Sequence, residues 1–508
     1  MIAKIKSCGL FGIDGYIVDV EADVSKGLPA FDVVGLPDTA VKESRERVRA
    51  AIKNSYLDFP LRRITVNLAP AHIKKEGPFY DLPICMGILM CTEQLKNKEV
   101  FDYMFLGELS LTGELRPVCG ALPMIISAVE NGITKIILPD ENKHEAAAIK
   151  GADIYPAKTL GEIIAHFSGE KPLEKYEEDV DLLFNNYSKY NVDFSDVKGQ
   201  ENAKRALTVA AAGGHNALLI GSPGSGKTML AQRLPSILPP LSFEEALEVT
   251  KIHSIAGVLP EKTPLLSARP FRSPHHTISA AGVAGGGRVP RPGEISLAHN
   301  GVLFLDELPE FSKDTLEVMR QPLEDGIVTI ARVSATLTYP ANTMLVAAMN
   351  PCKCGYYGDS AKKCTCSEAQ VKQYLSKISG PLLDRIDIHV EVPSVKYSDL
   401  ESKAPQETSE SIRAKVISAR QIQLERFKGI SGIYSNSQMT PALVEEYCSL
   451  GETETMLLKA AFERLGLSAR AHNRILKVAR TIADLKESKN IRTEHLAEAI
   501  QYRSLDRR

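Results

Sequence analysis

The sequence predicts a multidomain α/β protein with an N-terminal α+β domain, a parallel α/β core and a C-terminal helical lid. Three observations carry this expectation. Over residues 193–395, short apolar runs alternate with helical patterns, as a parallel sheet with crossover helices requires. One of those runs, Ala217-Leu-Leu-Ile220, leads directly into a glycine-rich turn. Beyond residue 396, apolar residues recur at three- and four-residue intervals, the mark of helices packed by one face. A length of 508 residues accommodates about three or four domains. The boundaries drawn are 1–166 for the first domain, 167–192 for a charged linker, 193–395 for the core and 396–508 for the lid.

Composition narrows the class. The apolar fraction of 44% and the charged fraction of 24% are those of a globular protein. With a net charge of −2, any contact with a polyanion must come from local basic patches. No apolar run approaches the ~20 residues of a membrane span, and Met1-Ile-Ala-Lys-Ile-Lys lacks a signal core, so a cytoplasmic protein without a membrane partner is expected. Nine cysteines in a reducing compartment read as metal ligands where they stand in close pairs, rather than as disulfides.

In the first domain, strands are expected over 15–20, 64–68 and 135–138, and helices over 38–54, 81–90 and 120–131. The helix 38–54 carries one apolar stripe, Val41, Val48 and Ile52. Its basic residues Lys42, Arg45, Arg47, Arg49 and Lys53 are interspersed with Glu43 and Glu46. That is a mixed-charge surface helix, with DNA contact as the alternative. Three stretches resemble the Lon protease domain, whose fold is of the ribosomal-S5-domain-2 type. They are Pro70-Ala-His-Ile-Lys-Lys75-Glu-Gly-Pro78-Phe79-Tyr-Asp81, Leu111-Thr-Gly-Glu-Leu-Arg-Pro117-Val-Cys-Gly-Ala-Leu122 and Ile136-Ile-Leu-Pro139-Asp-Glu-Asn142. The resemblance implies that fold without peptidase chemistry. The positions of the attacking serine and its lysine partner hold Phe79 and Leu122, which can neither attack a carbonyl nor accept a proton. Lys74, Lys75 and Asp81 read as exposed polar residues, available to a partner or simply solvated.

The core opens on Gly221-Ser222-Pro223-Gly224-Ser225-Gly226-Lys227-Thr228, which fills every fixed position of the pattern G-x-x-x-x-G-K-[ST]. Glycines let backbone N–H groups approach phosphates, Lys227 reaches the terminal phosphates, and Thr228 offers a hydroxyl to Mg²⁺. A second apolar strand, Val302-Leu-Phe-Leu305, ends in Asp306 and Glu307. Asp306 suits Mg²⁺ and Glu307 suits a water that attacks the terminal phosphate, so ATP binding and hydrolysis are both expected.

Between these motifs lies an insert, about 255–297, with Arg269-Pro-Phe-Arg272-Ser-Pro-His275-His276-Thr and the glycine-rich Gly282-Val-Ala-Gly-Gly-Gly-Arg288-Val-Pro-Arg291-Pro-Gly293. Glycine and proline at this density call for loops or a hairpin. His275 and His276 read as packing or a hydrogen-bonded loop, with metal ligation as the alternative. Further on, Cys352-Lys-Cys354 and Cys364-Thr-Cys366 within a loop over 352–366 suit a structural tetrahedral zinc site, against reduced cysteines without metal. In the lid, helices are expected over 408–427, 441–449, 452–465, 469–485 and 493–502.

Asp196-Val-Lys-Gly-Gln200, the two nucleotide motifs and Val346-Ala-Ala-Met-Asn350 together resemble an AAA+ module. The resemblance makes Asn350 the polar sensor beside the terminal phosphate. In Gly380-Pro-Leu-Leu-Asp384-Arg385-Ile-Asp-Ile388 it makes Arg385 an arginine finger reaching the ATP of a neighbouring subunit. In Ser468-Ala-Arg470 it makes Arg470 the second sensor, with Arg474 as the alternative. The helix-2 insert is similar to those of magnesium-chelatase ATPase subunits, MCM-type helicases and MoxR proteins, where it faces a ring pore.

Taken along nearly the whole chain, the order of motifs resembles the ComM/YifB family of magnesium-chelatase-like competence ATPases. The resemblance implies a homo-hexamer that drives branch migration of recombination intermediates on branched or single-stranded DNA, with possible recombination proteins as partners. Arg288 and Arg291 would then grip phosphates. A chelatase motor and a protein remodeller would share the same ATPase residues, and a Lon-type protease is the remaining alternative.

Overall fold

The computed structural model describes residues 2–180, 184, 190, 192–287, 290–331, 336–359, 362–395, 406–465 and 469–503, with residues 465, 469 and 470 described in backbone only. They form two compact units, residues 1–187 with 243–267, and residues 188–242 with 268–508.

The first unit is built on a seven-stranded mixed sheet. Its order is Ala30–Val34, Arg63–Ala69, Asp14–Ser25, Ile2–Phe11, Tyr103–Phe105, Lys135–Pro139 and Asp153–Ala157. Ile2–Phe11 and Asp14–Ser25 form a long antiparallel hairpin whose tight turn uses Gly12 at φ 66. The helices fall where the periodicity put them: Thr39–Asn54, Asp81–Cys91 and Ala121–Glu130. Asp38 caps the first by accepting from the Val41 amide at 2.8 Å. Residues 81–90 of the second are all buried, which is why its sequence is apolar all round.

Two polar residues read as exposed are in fact buried. Asp81 accepts from Arg47 Nε at 2.6 Å and from the Leu109 amide at 3.2 Å. Lys75 is likewise fully buried, with Nζ donating to the Ile73 carbonyl at 2.8 Å and to the Pro70 carbonyl. A buried charge needs such partners, and here the helix 39–54 and a tight loop supply them. Arg47 is thus taken up within the unit, whereas Lys74 is exposed and pairs with Glu76. Phe79 and Leu122 are buried in the apolar interior.

Two boundaries differ from the expectation. The linker drawn over 167–192 is partly built into the first unit. The helix Leu160–Ser168 stops at Gly169, which adopts φ 80. The chain then returns so that the Tyr176 amide donates to the Ile154 carbonyl at 2.8 Å and Val180 is buried. The insert, too, begins earlier and divides. Phe243–Ala256 is a helix of the first unit: Ser254 Oγ donates to Glu145 Oε2 at 2.6 Å, and Phe243, Leu247 and Leu265 cover Leu122 and Ala148. Only residues from 268 onward rejoin the second unit.

The second unit holds a five-stranded parallel sheet ordered Phe271–Arg272, Val302–Leu305, Met344–Met349, Ala217–Ile220 and Ile388–Glu391. The three middle strands are buried throughout, as in parallel sheets covered on both faces. The lid helices are Ser409–Arg426, Pro441–Tyr447, Glu452–Leu465, Ala469–Leu485 and Thr493–Gln501, as the periodicity required. They share one apolar cluster with the sheet and with the helix Glu201–Gly213. A buried polar junction adds to it: His215 Nδ1 meets Asp387 Oδ2 at 3.0 Å and His215 Nε2 meets Thr481 Oγ1 at 2.8 Å.

Candidate functional site

Three strand ends of the parallel sheet create the site. After Ala217–Ile220 the chain turns through residues 221–226 into the helix Lys227–Arg233. Gly224 and Gly226 adopt φ 78 and φ 93, and a Cβ on either would meet nothing within 4 Å, so they serve the left-handed turn and leave open space above it. Gly221 is glycine for another reason: a Cβ there would lie 2.2 Å from the Val392 carbonyl oxygen.

The loop borders a cleft of about 420 Å³ lined by residues 223–229 with Asp306, Glu307, Met349 and Asn350. Thr228 Oγ1 donates to Asp306 Oδ2 at 2.7 Å, which joins the hydroxyl and carboxylate named from separate motifs. Lys227 Nζ donates to the carbonyls of Gly221 and Ser222 at 2.8 and 3.0 Å and to Asn350 Oδ1 at 3.2 Å. Burial holds the Lys227 ammonium below its ordinary pKa, and the Asp306 and Glu307 charges oppose that shift. A cation folded onto carbonyl oxygens beside an open glycine turn is well matched to phosphate, and Thr228 with Asp306 offers two hard oxygen donors to Mg²⁺.

Glu307 stands in the left-handed region, φ 53 and ψ 46, a costly backbone for a non-glycine residue. Its amide donates to Asp306 Oδ1 at 2.9 Å, and its carboxylate points into the cleft margin with half its surface exposed. His276 Nδ1 lies 3.4 Å from Glu307 Oε2. His275 lies against His276 with ring centroids 4.1 Å apart and planes tilted by 34°, and bonds Thr277 Oγ1 at 2.9 Å. The histidine pair therefore sits in a hydrogen-bonded loop, and its approach to Glu307 has no counterpart in the linear sequence. Gln200 was missed as well. Its Nε2 donates to the Ser225 carbonyl at 3.2 Å and to the Pro393 carbonyl at 2.6 Å, bracing the glycine turn from a position that only the AAA+ resemblance had marked.

Arg385 does not line this cleft. Its guanidinium pairs with Glu324 and donates to the Pro381 carbonyl at 2.8 Å. Arg470 falls on the second residue of the helix Ala469–Leu485, but its side chain lies outside the described residues. The alternative, Arg474, has Nε 3.8 Å from Asp387 Oδ1, within the buried junction beneath the lid. Arg288 lies outside the described residues, while Arg291 is exposed on a short hairpin pairing Gly285–Gly286 with Arg291–Pro292. A second hairpin, Ile327–Ala331 with Thr336–Pro340, was not expected, and Tyr339 Oη donates to the Pro290 carbonyl at 3.1 Å to join the two.

The four cysteines converge. Their sulfurs all lie within 4.8 Å of one another, with Cys352–Cys354, Cys354–Cys364 and Cys352–Cys364 at 3.3, 3.5 and 3.7 Å. A tetrahedral zinc with Zn–S bonds of about 2.3 Å spaces its sulfurs by about 3.8 Å, so the set fits that ion.

The whole chain can be matched to known proteins in the same order. Family models described as subunit ChlI of Mg-chelatase, as magnesium chelatase subunit ChlI, and as magnesium chelatase subunit ChlI C-terminal match residues 20–142, 193–400 and 406–503. Competence protein ComM of Haemophilus influenzae is 43% identical over 512 residues, covering 100% of this chain and 98% of that protein. The chain belongs to the magnesium-chelatase-like AAA+ family that contains ComM and YifB. Another member, the uncharacterized protein YifB of Escherichia coli K12, is 44% identical over 497 residues, 98% of this chain and 96% of that protein. A Lon protease of Rhizobium meliloti is 25% identical over 166 residues, 30% of this chain and 20% of that protein. For this ComM/YifB-family chain, the parallel sheet with its glycine turn is the AAA+ module and the helices after residue 406 are its lid. Among the described residues, no helix is long and apolar enough to cross a membrane.

Proposed function

We propose that this protein is an ATP-driven motor that works as a homo-hexameric ring on branched DNA. The observation that carries the nucleotide part is the meeting of Thr228 and Asp306 at 2.7 Å beside Lys227 and Glu307, four groups from two distant strands in one cleft. Residues 221–228 would bind the phosphates of ATP, with Lys227 on the terminal ones. Thr228 and Asp306 would hold Mg²⁺, which neutralises charge on the phosphates. Glu307 would take the proton of the attacking water and Asn350 would orient it. Arg385 would complete the site of the next subunit, and Arg470 would report on it from the lid. Relatedness to a protein named for competence supports DNA as the polymer moved, with Arg288 and Arg291 as phosphate contacts.

The test is steady-state ATP hydrolysis by the purified protein alone, with duplex DNA and with a four-way junction. Stimulation by the junction that falls as salt rises is expected. Hydrolysis indifferent to every DNA would overturn the DNA reading. It would favour the chelatase-type or protein-remodelling motor that the match to magnesium chelatase subunit ChlI over residues 193–400 also supports.

We assign a structural zinc to Cys352, Cys354, Cys364 and Cys366. Protein purified without chelator is expected to carry one zinc per chain by elemental analysis, and metal-free protein would overturn the assignment. Phe79 and Leu122, both buried and apolar, give the Lon-like domain no nucleophile, so ATP-dependent casein digestion is not expected.

A further inference from the structure

The segment after Asn350 returns to the phosphate-binding loop at three points. Asn350 Oδ1 accepts from Lys227. Gly355, at φ 88, lies so close to the loop that a Cβ would stand 2.6 Å from Pro223 Cδ and 2.8 Å from Pro223 Cγ. Asp359 makes the third contact: its Oδ2 accepts from Ser222 Oγ and also from Ser394 Oγ at 3.0 Å. Its Oδ1 accepts from the Lys362 amide at 3.1 Å. One carboxylate therefore joins the phosphate-binding loop, the cysteine loop and the segment that follows the strand Ile388–Glu391.

Both Gly355 and Asp359 lie inside the stretch closed by the cysteines: Cys352 and Cys354 precede them, Cys364 and Cys366 follow. A loop of this length, rich in glycine and polar residues, has little apolar burial of its own to fix it, and a four-thiolate metal supplies that order. Ser222 is buried, so its hydroxyl depends on Asp359 and Ser394 for partners, and a carboxylate acceptor makes the bond a strong one. Neither Ser222 nor Asp359 lines the cleft; they act on it through the adjoining Pro223 and the loop backbone.

We propose that Asp359 is a positioning residue for the phosphate-binding loop, held in place by zinc closure of the four-cysteine loop, so that zinc occupancy is felt as nucleotide affinity. The proposal rests on the nucleotide reading of the cleft given above. Because Asp359 fixes the loop without touching the reacting atoms, its loss falls on binding and KM rather than on kcat.

The experiment measures equilibrium binding of a fluorescent ADP analogue to the full chain, with zinc content determined on the same samples. Lys227→Ala is expected to abolish binding. Asp359→Ala is expected to keep its zinc and to bind about tenfold more weakly, the effect of losing one charge-assisted bond. Asp359→Asn, which retains an acceptor oxygen, should recover part of the loss. Cys364→Ser combined with Cys366→Ser should lose zinc and weaken binding to a similar degree. Wild-type affinity in zinc-loaded Asp359→Ala, with Lys227→Ala still inactive in binding, overturns the positioning role and leaves the cleft reading intact. Wild-type affinity in Lys227→Ala overturns the cleft reading itself, and the proposal with it.

Discussion

Replacing Arg385 by alanine is expected to lower ATP turnover by about 10³- to 10⁵-fold while leaving nucleotide binding within reach of wild type. The reason is geometric. Arg385 is absent from the lining of its own chain's cleft, so a role in hydrolysis must be played toward another copy. In the isolated chain its guanidinium is occupied by Glu324 and by the Pro381 carbonyl, and ring formation would have to exchange the first of these for phosphate. The competing account is that Arg385 only ties the turn after the helix Gly380–Leu383 to the rest of the unit. Under that account the alanine variant would melt earlier and hydrolyse ATP normally at matched oligomeric state. Turnover measured with size analysis on the same sample separates the two, and normal turnover sinks the trans role.

Glu307→Gln is expected to bind ATP but hydrolyse it about 10²- to 10⁴-fold more slowly, the range for loss of a positioned general base. The amide keeps the shape of the side chain and removes its basicity. The left-handed backbone at Glu307 is maintained by the strand Val302–Leu305 on one side and by the bond from its own amide to Asp306 on the other. Neither depends on the side-chain charge, so the variant should fold as wild type does. Single-turnover hydrolysis alongside ATP binding checks this; hydrolysis at the wild-type rate would remove Glu307 from the proposed chemistry.

The local elements were largely legible in the sequence because each is written in its own periodicity. The lid helices and the strands Ala217–Ile220, Val302–Leu305 and Met344–Met349 bury apolar residues at the spacing their backbone imposes. The phosphate-binding loop was legible because its backbone needs glycine where phosphate must approach. What escaped was whatever depends on distant residues meeting. Lys75 and Asp81 carry charge in a loop-like stretch, and only the fold shows that Pro70, Ile73 and Arg47 are there to receive them. Asp359 looks like a loop residue until Ser222, more than a hundred positions earlier, appears beside it. The hairpin Ile327–Ala331 with Thr336–Pro340 alternates buried and exposed residues, with Thr329, Thr336 and Thr338 on its exposed face, yet its two strands are short and were not expected from the sequence.

The path of the chain through Phe243–Ala256 has a consequence for how the molecule can be made and cut. The first unit contains Leu122 and Ala148, whose apolar cover includes Phe243, Leu247 and Leu265. A polypeptide ending anywhere before residue 243 strips part of that cover, leaving Ile126, Ile149 and Val180, and leaves Glu145 without its Ser254 partner. The main apolar core of the unit, from Ala3 to Phe167, is complete without Phe243, Leu247 and Leu265, but the patch over Leu122 and Ala148 is finished only by residues synthesised after the phosphate-binding loop. Each unit is drawn from two separate stretches of chain, so neither is a contiguous piece that a protease could detach by a single break.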